Sequence, residues 1–246
     1  MRGEQLTQVF AGFGGVYGDR FYAFVSSGAS QRFPYLTARE KETMLLYSPK
    51  YRNAERMMAP PNLAEATALA PGLTPFYPTA EEMMVDVQTP AGEILPIDDL
   101  ALISRLREGL RERHEVRLVQ SHRSMTDCRP VSVCSVQTVR QLSSEVGTEL
   151  DKRRFRANIY LNFGSQPGFS EDNFVGHQLR VGETTVLAIL HRDSRCKIIT
   201  LDPENARPNP AVMRRVAANH EGKAGVYGAV LVEGTVAPGD PVVLLA

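Results

Sequence analysis

Cys196 stands between two cations, in the run Asp193-Ser194-Arg195-Cys196-Lys197. Flanking positive charge favours thiolate over thiol, and a thiolate is both a nucleophile and a soft metal ligand. The same residues also fit a half-buried cysteine in a charged turn, because free cysteine often serves as a small apolar filler. Arginines recur just ahead of apolar runs. Asp19-Arg20 precedes Phe21, Thr37-Ala38-Arg39-Glu40 opens a short segment, and Arg153-Arg154-Phe155-Arg156-Ala157-Asn158 leads into Ile159-Tyr160-Leu161. Guanidinium groups at a sheet rim make bidentate contacts with phosphate or carboxylate, or ordinary ion pairs. Glu171-Asp172-Asn173 supplies acids that pair with these arginines or cap a turn. Cys134, inside Val131-Ser132-Val133-Cys134, reads as core.

Several chemistries are excluded by pattern. Gly12-Phe13-Gly14-Gly15-Val16-Tyr17-Gly18 misplaces the third glycine of a dinucleotide loop and lacks a βαβ context, so it reads as a turn. There is no P-loop, nucleophile elbow or H-E-x-x-H pattern. His114, His122, His177, His191 and His220 lack ligand spacing and read as structural or solvated. The 3 cysteines, Cys128, Cys134 and Cys196, form no C-x-x-C pair, which argues against a disulfide framework, a structural zinc site and an iron–sulfur cluster. A reducing cytoplasm is the expected compartment. With 28 basic and 28 acidic residues the formal charge is zero, so nothing calls for nucleic acid or an acidic membrane surface. No apolar run reaches bilayer length, and the segment after Met1 lacks the apolar core of a signal peptide.

The elements that must position these residues are mainly strands. The 246 residues, 43% of them apolar, suffice for one large domain or two small ones. Strands are expected at 21–25, 84–87, 116–119, 157–163, 185–190, 197–201, 226–232 and 241–245, each rich in Val, Ile, Leu or Tyr between turn residues. Helices are expected after Asp98-Asp99 (an apolar stripe with Arg105, Arg107, Glu108 and Arg111 between), after Ser135, and after Asn209-Pro210, where Met213, Val216 and Ala217 share a face. Strands and helices do not alternate regularly, so a β-barrel with a few decorating helices is expected in preference to a doubly wound parallel sheet. Residues 52–82, punctuated by Pro60, Pro61, Pro71, Pro75 and Pro78, read as an irregular excursion. A boundary near residue 95 would separate a module at 1–95 from one at 96–246.

Taken together, the segments resemble the molybdenum cofactor sulfurase C-terminal (MOSC) domain family. The residues that carry this are Arg156-Ala157-Asn158-Ile159, Phe169 to Gly176, Leu179-Arg180-Val181-Gly182, Ser194-Arg195-Cys196, Thr200-Leu201-Asp202-Pro203, Gly234-Thr235-Val236 and Gly239-Asp240-Pro241-Val242. Arg2-Gly3-Glu4, Gly15 to Arg20 and Leu36-Thr37-Ala38-Arg39 resemble the β-barrel module that precedes the domain in many members. The nearest likeness is to the amidoxime-reducing proteins and their bacterial kin. It implies a distorted β-barrel, a bound molybdenum cofactor, and Cys196 as the thiolate completing the metal's ligand set, which suits a sulfur-rich centre. It further implies that Arg20, Thr37, Arg39, Arg156, Asn158, Ser194, Arg195 and Tyr227 hold the pterin and its phosphate. The implied activity is reduction of N-oxygenated small molecules, with electrons from a separate donor protein. A sulfur carrier or cofactor-delivery protein using a Cys196 persulfide, loaded by a sulfur donor, is the alternative. Relatives have a strand and a Lys-Ser pair before Arg-Gly-Glu, where this sequence starts at Met1. Asp127-Cys128-Arg129-Pro130 replaces small hydroxyl residues, so Cys128 is expected as a second thiol near the site and Arg129 as a partial substitute for the lysine.

Overall fold

The computed structural model describes residues 1–68, 79, 81–110 and 114–245, arranged as two compact units. The first comprises Met1–Asp127 with Glu233–Gly239, and the second Cys128–Val232 with Asp240–Ala246. Both are mainly β, as the strand count of the sequence implies. No described helix is long and apolar enough to cross a membrane.

In the first unit, β1 (Val9–Gly12) pairs with β2 (Gly15–Val16), and β3 (Tyr22–Ser30) with β4 (Phe33–Tyr35). A further sheet has the order β5 (Ser48–Tyr51), β6 (Val85–Gln88), β7 (Ile94–Pro96). Between them lie a six-residue helix α1 (Leu63–Ala68) and a 3-10 turn, Ala54–Met57. Pro71, Pro75 and Pro78 of the expected excursion, and Arg111 of the expected helix, lie outside the described residues. α2 (Leu100–Arg107) starts where Asp99 accepts a hydrogen bond from Ala101 N at 2.7 Å, and it buries Leu102 and Leu106. β8 (Val116–Gln120) pairs antiparallel with β3, Tyr22 opposite Gln120. Leu102, Leu106 and Val116 share one core with Phe24, Val85 and Val87. That shared core and the β3–β8 ladder draw residues 96–127 into the first unit, and the contacts divide at residue 127.

The second unit is built on one six-stranded sheet. It contains β9 (Val131–Ser135), β10 (Ile159–Leu161), β11 (Gln178–Val181), β12 (Thr185–Ser194) and β13 (Lys223–Val232). β14 (Gly234–Val236) belongs to the first unit, where it pairs with β1, and β15 (Val242–Leu245) completes the second. The order is β10-β9-β13-β12-β11-β15, with only β9 and β10 parallel. α3 (Val136–Val146) begins at Ser135, whose hydroxyl accepts from Thr138 N at 2.9 Å, and stops at Gly147 in the left-handed region (φ 75). α4 (Pro210–Asn219) has Asn209 as cap and Pro210 at its first position. Its buried face is Val212 and Val216, whereas Ala217, expected on that face, is exposed. These helices pack Leu142, Val212 and Val216 over Cys134, Phe155 and Ile199.

One expected strand is absent. Lys197–Thr200 forms a 3-10 turn, with Thr200 Oγ1 donating to Lys197 O at 2.7 Å, and Leu201 makes only an isolated bridge to Pro208. Ile199, Thr200 and Leu201 are consecutively buried, so the segment lacks the in–out alternation of a one-sided strand.

Candidate functional site

β12 is the longest route to Cys196. It runs to Ser194, and the chain then turns, with Arg195 N donating to Gly222 O at 2.8 Å. Alternation along the strand end puts Asp193 and Arg195 on the same side, and their side chains form an ion pair of 2.8 Å at 2% and 8% exposure. The Arg195 guanidinium also donates to Ala224 O at 2.6 Å and to Phe155 O at 2.8 Å, and it lies 5.5 Å from the centre of the Phe155 ring. One side chain thus joins the Cys196 turn to β13 and to the segment just before Arg156. Its charge is met by Asp193, so of the two cations flanking the thiol in sequence only Lys197 is exposed.

The bond is returned from the other side. Arg154, 7% exposed, donates to Thr200 O at 2.7 Å and pairs with Asp202 at 2.8 Å. Each turn therefore sends an arginine into the other. Arg154 of the Lys152–Phe155 turn grips the end of the Cys196 turn, and Arg195 grips Phe155 O. Two of the expected site residues lie next to these staples in the chain. Cys196, half-buried, caps the 3-10 turn Lys197–Thr200. Arg156 is exposed and sits in the left-handed region (φ 52), where a non-glycine residue is strained and persists only because its surroundings hold it.

Other expected residues in this unit are placed around the same strands. Asn158 precedes β10, and its Oδ1 accepts from Ser132 N and Ser132 Oγ, both at 3.0 Å. Ser194 and Arg129 are exposed. Tyr227 lies on β13 opposite His191, the ring centres 5.5 Å apart and edge-on. Cys128 Sγ is 3.6 Å from His191 Nε2. Cys134 is fully buried, and that burial pushes its thiol far up, which keeps it neutral.

Arg20, Thr37 and Arg39 belong to the first unit. Arg20 (φ 50) pairs with Asp19 at 3.3 Å. Thr37 forms a capping box, its backbone N and hydroxyl both donating to Glu40 and its Oγ1 accepting from Arg39 N. Arg39 pairs with Asp127 and lies over the Phe33 ring at 4.9 Å.

The acids of the Glu171-Asp172 motif serve the frame. Glu171 is fully buried and accepts from Ser135 N at 3.0 Å and from Thr138 Oγ1 at 2.7 Å. Asp172 pairs with Arg192 at 2.8 Å, while burial raises its carboxyl above the usual range. Asp193 is a contributor that motif reading missed. Its signal was present as an Asp-x-Arg step at a strand end. Among the described residues no cluster of His, Cys, Asp and Glu is large enough to hold a bare metal ion.

The MOSC domain family model matches residues 120–243, just over half of the chain. Among solved structures, YiiM from Geobacillus stearothermophilus aligns at 19% identity and TM-score 0.38, covering 48% of this chain and 55% of that one. YuaD from Bacillus subtilis aligns at 13% identity and TM-score 0.38, covering 51% and 65%. YiiM from Escherichia coli aligns at 17% identity and TM-score 0.35, covering 48% and 55%. The aligned part is thus less than two thirds of each of these chains. No curated protein sequence matches.

Proposed function

The chain belongs to the MOSC domain family, which is associated with molybdenum-cofactor binding, and from that premise we propose that its second unit binds a molybdenum cofactor with the Cys196 thiolate as metal ligand. The reciprocal stapling of the Arg154 and Arg195 turns is the observation that carries the reading. It fixes the two turns together while leaving the thiol of Cys196 partly open and the Arg156 guanidinium exposed. A preorganised ligand costs less conformational entropy on binding than one on a mobile loop.

Each residue then has a stated task. Cys196 supplies the soft ligand. Arg156 offers a fork of donors to the cofactor's phosphate. Ser194 and Asn158 hydrogen-bond the pterin edge. Arg195 positions Cys196 through Asp193 and Phe155 O. When bound, the cofactor supplies two-electron oxygen-atom chemistry, and the protein contributes binding and orientation. The activity we propose is reduction of N-oxygenated small molecules, with electrons from a separate donor protein.

Metal analysis of the full chain made in cofactor-competent cells tests this. Molybdenum is expected in the parent and strongly reduced in Cys196→Ala; no molybdenum in either overturns it. The carrier reading is favoured instead if incubation with a cysteine desulfurase leaves a sulfur adduct on Cys196 of metal-free protein.

A further inference from the structure

Cys128 and His191 meet outside the staples just described. Cys128 is exposed, and its Sγ lies 3.6 Å from His191 Nε2. The opposite ring nitrogen, Nδ1, is 3.0 Å from Arg192 O. A carbonyl oxygen only accepts, so Nδ1 is the donor of that contact and Nε2 is the ring nitrogen that faces the thiol. The ring is oriented by two further features. The β12–β13 register shifts between Ile189 and His191, an irregularity that re-aims side chains, and Tyr227 packs edge-on against the imidazole at 5.5 Å. A nucleophile, a base within reach and a group orienting the base make the arrangement of an activated thiol. Next to it, Arg129 is exposed, while the neighbouring acid Asp127 is taken by Arg39.

We propose that Cys128 and His191 form a second reactive site, which exchanges with low-molecular-weight disulfides bearing carboxylates, recognised through Arg129. In the exchange the Cys128 sulfur bonds to one sulfur of the disulfide as the S–S bond breaks. The thiol proton passes to His191 Nε2 and then to the departing thiolate, which leaves as a thiol. The Cys128 sulfur is oxidised and the departing sulfur reduced, so the disulfide is the sole oxidant. This site does not depend on the Cys196 reading.

The test uses the full chain carrying Cys196→Ser, so the outcome is separate from any metal ligation. The protein is treated with oxidised glutathione and, in parallel, with cystamine, a disulfide bearing amines, and adducts are mapped by mass spectrometry. One glutathione adduct on Cys128 is expected. His191→Gln should slow it about tenfold or more without changing the unfolding temperature, in keeping with loss of a general base. Arg129→Gln should slow the glutathione reaction and spare that of cystamine. A smaller slowing in His191→Gln, or an adduct absent from Cys128, overturns the pair; equal slowing of both disulfides in Arg129→Gln overturns the carboxylate preference. If His191→Gln does not fold, a peptide of residues 124–132 replaces it as reference: Cys128 in the protein should react about tenfold or more faster than in the peptide, and a smaller ratio overturns the proposal.

Discussion

Arg154 and Arg156 are two residues apart and do opposite things. Arg154 is buried and donates to Thr200 O and Asp202, whereas Arg156 is exposed and has a strained backbone. Ser194 and Arg195 repeat the contrast, one exposed at the end of β12 and the other buried against Asp193. A basic motif is therefore divided between a frame, which folds the turns together, and an exposed rim, for which ligand binding is the proposed role. Substitutions in the frame should cost stability, and substitutions in the rim should cost binding.

The sharpest break of that contrast is Asp193→Asn or Arg195→Ala. Each leaves a charge buried without its counterion, and the expected loss is about 3–5 kcal/mol in urea unfolding. The double variant Asp193→Leu with Arg195→Met should lose less than either single change, since no lone charge remains; a double variant as unstable as the sum would place the cost elsewhere. Arg154→Ala comes next, at about 2 kcal/mol, because charge-assisted bonds to Thr200 O and Asp202 are lost together. Arg156→Ala is expected to change stability by less than about 0.5 kcal/mol while lowering retained molybdenum. A large stability loss there would erase the distinction between frame and rim.

A modest, pH-dependent effect lies at Glu145. Burial pushes its carboxyl up, but hydrogen bonds from Gln141, His220 and Asn219 outweigh that and hold it below its ordinary value of 4.5. The folded state thus releases this proton more readily than the unfolded state. The resulting stabilisation is present above the ordinary value and disappears as pH falls through the depressed one. Glu145→Gln should cost under about 1 kcal/mol at neutral pH, and the gap to the parent should close in acid.

Much of the frame was legible in the sequence. Ser135, Gly147 and Asn209-Pro210 mark helix ends through local chemistry, and the strand starts follow from β-branched runs between turn residues. The motifs from Arg156 to Val242 point to the family whose model spans residues 120–243. What escaped is non-local. Arg154 meets Thr200 across 46 positions, and Arg195 meets Phe155 across 40, so no window of sequence shows which arginine is frame and which is rim. The Cys196 turn looked like a strand because an apolar run buries equally well in a 3-10 turn. His191 was passed over because its partner, Cys128, lies 63 positions away.

The proposed role of Cys196, held by the Arg195 staple, is that of a metal ligand. Mass-mapped alkylation with iodoacetamide, comparing molybdenum-loaded with metal-free full-length protein, tests it most directly. Loading should protect Cys196 while Cys128 is labelled equally in both samples; equal labelling of Cys196 in the two would rule out ligation through its sulfur.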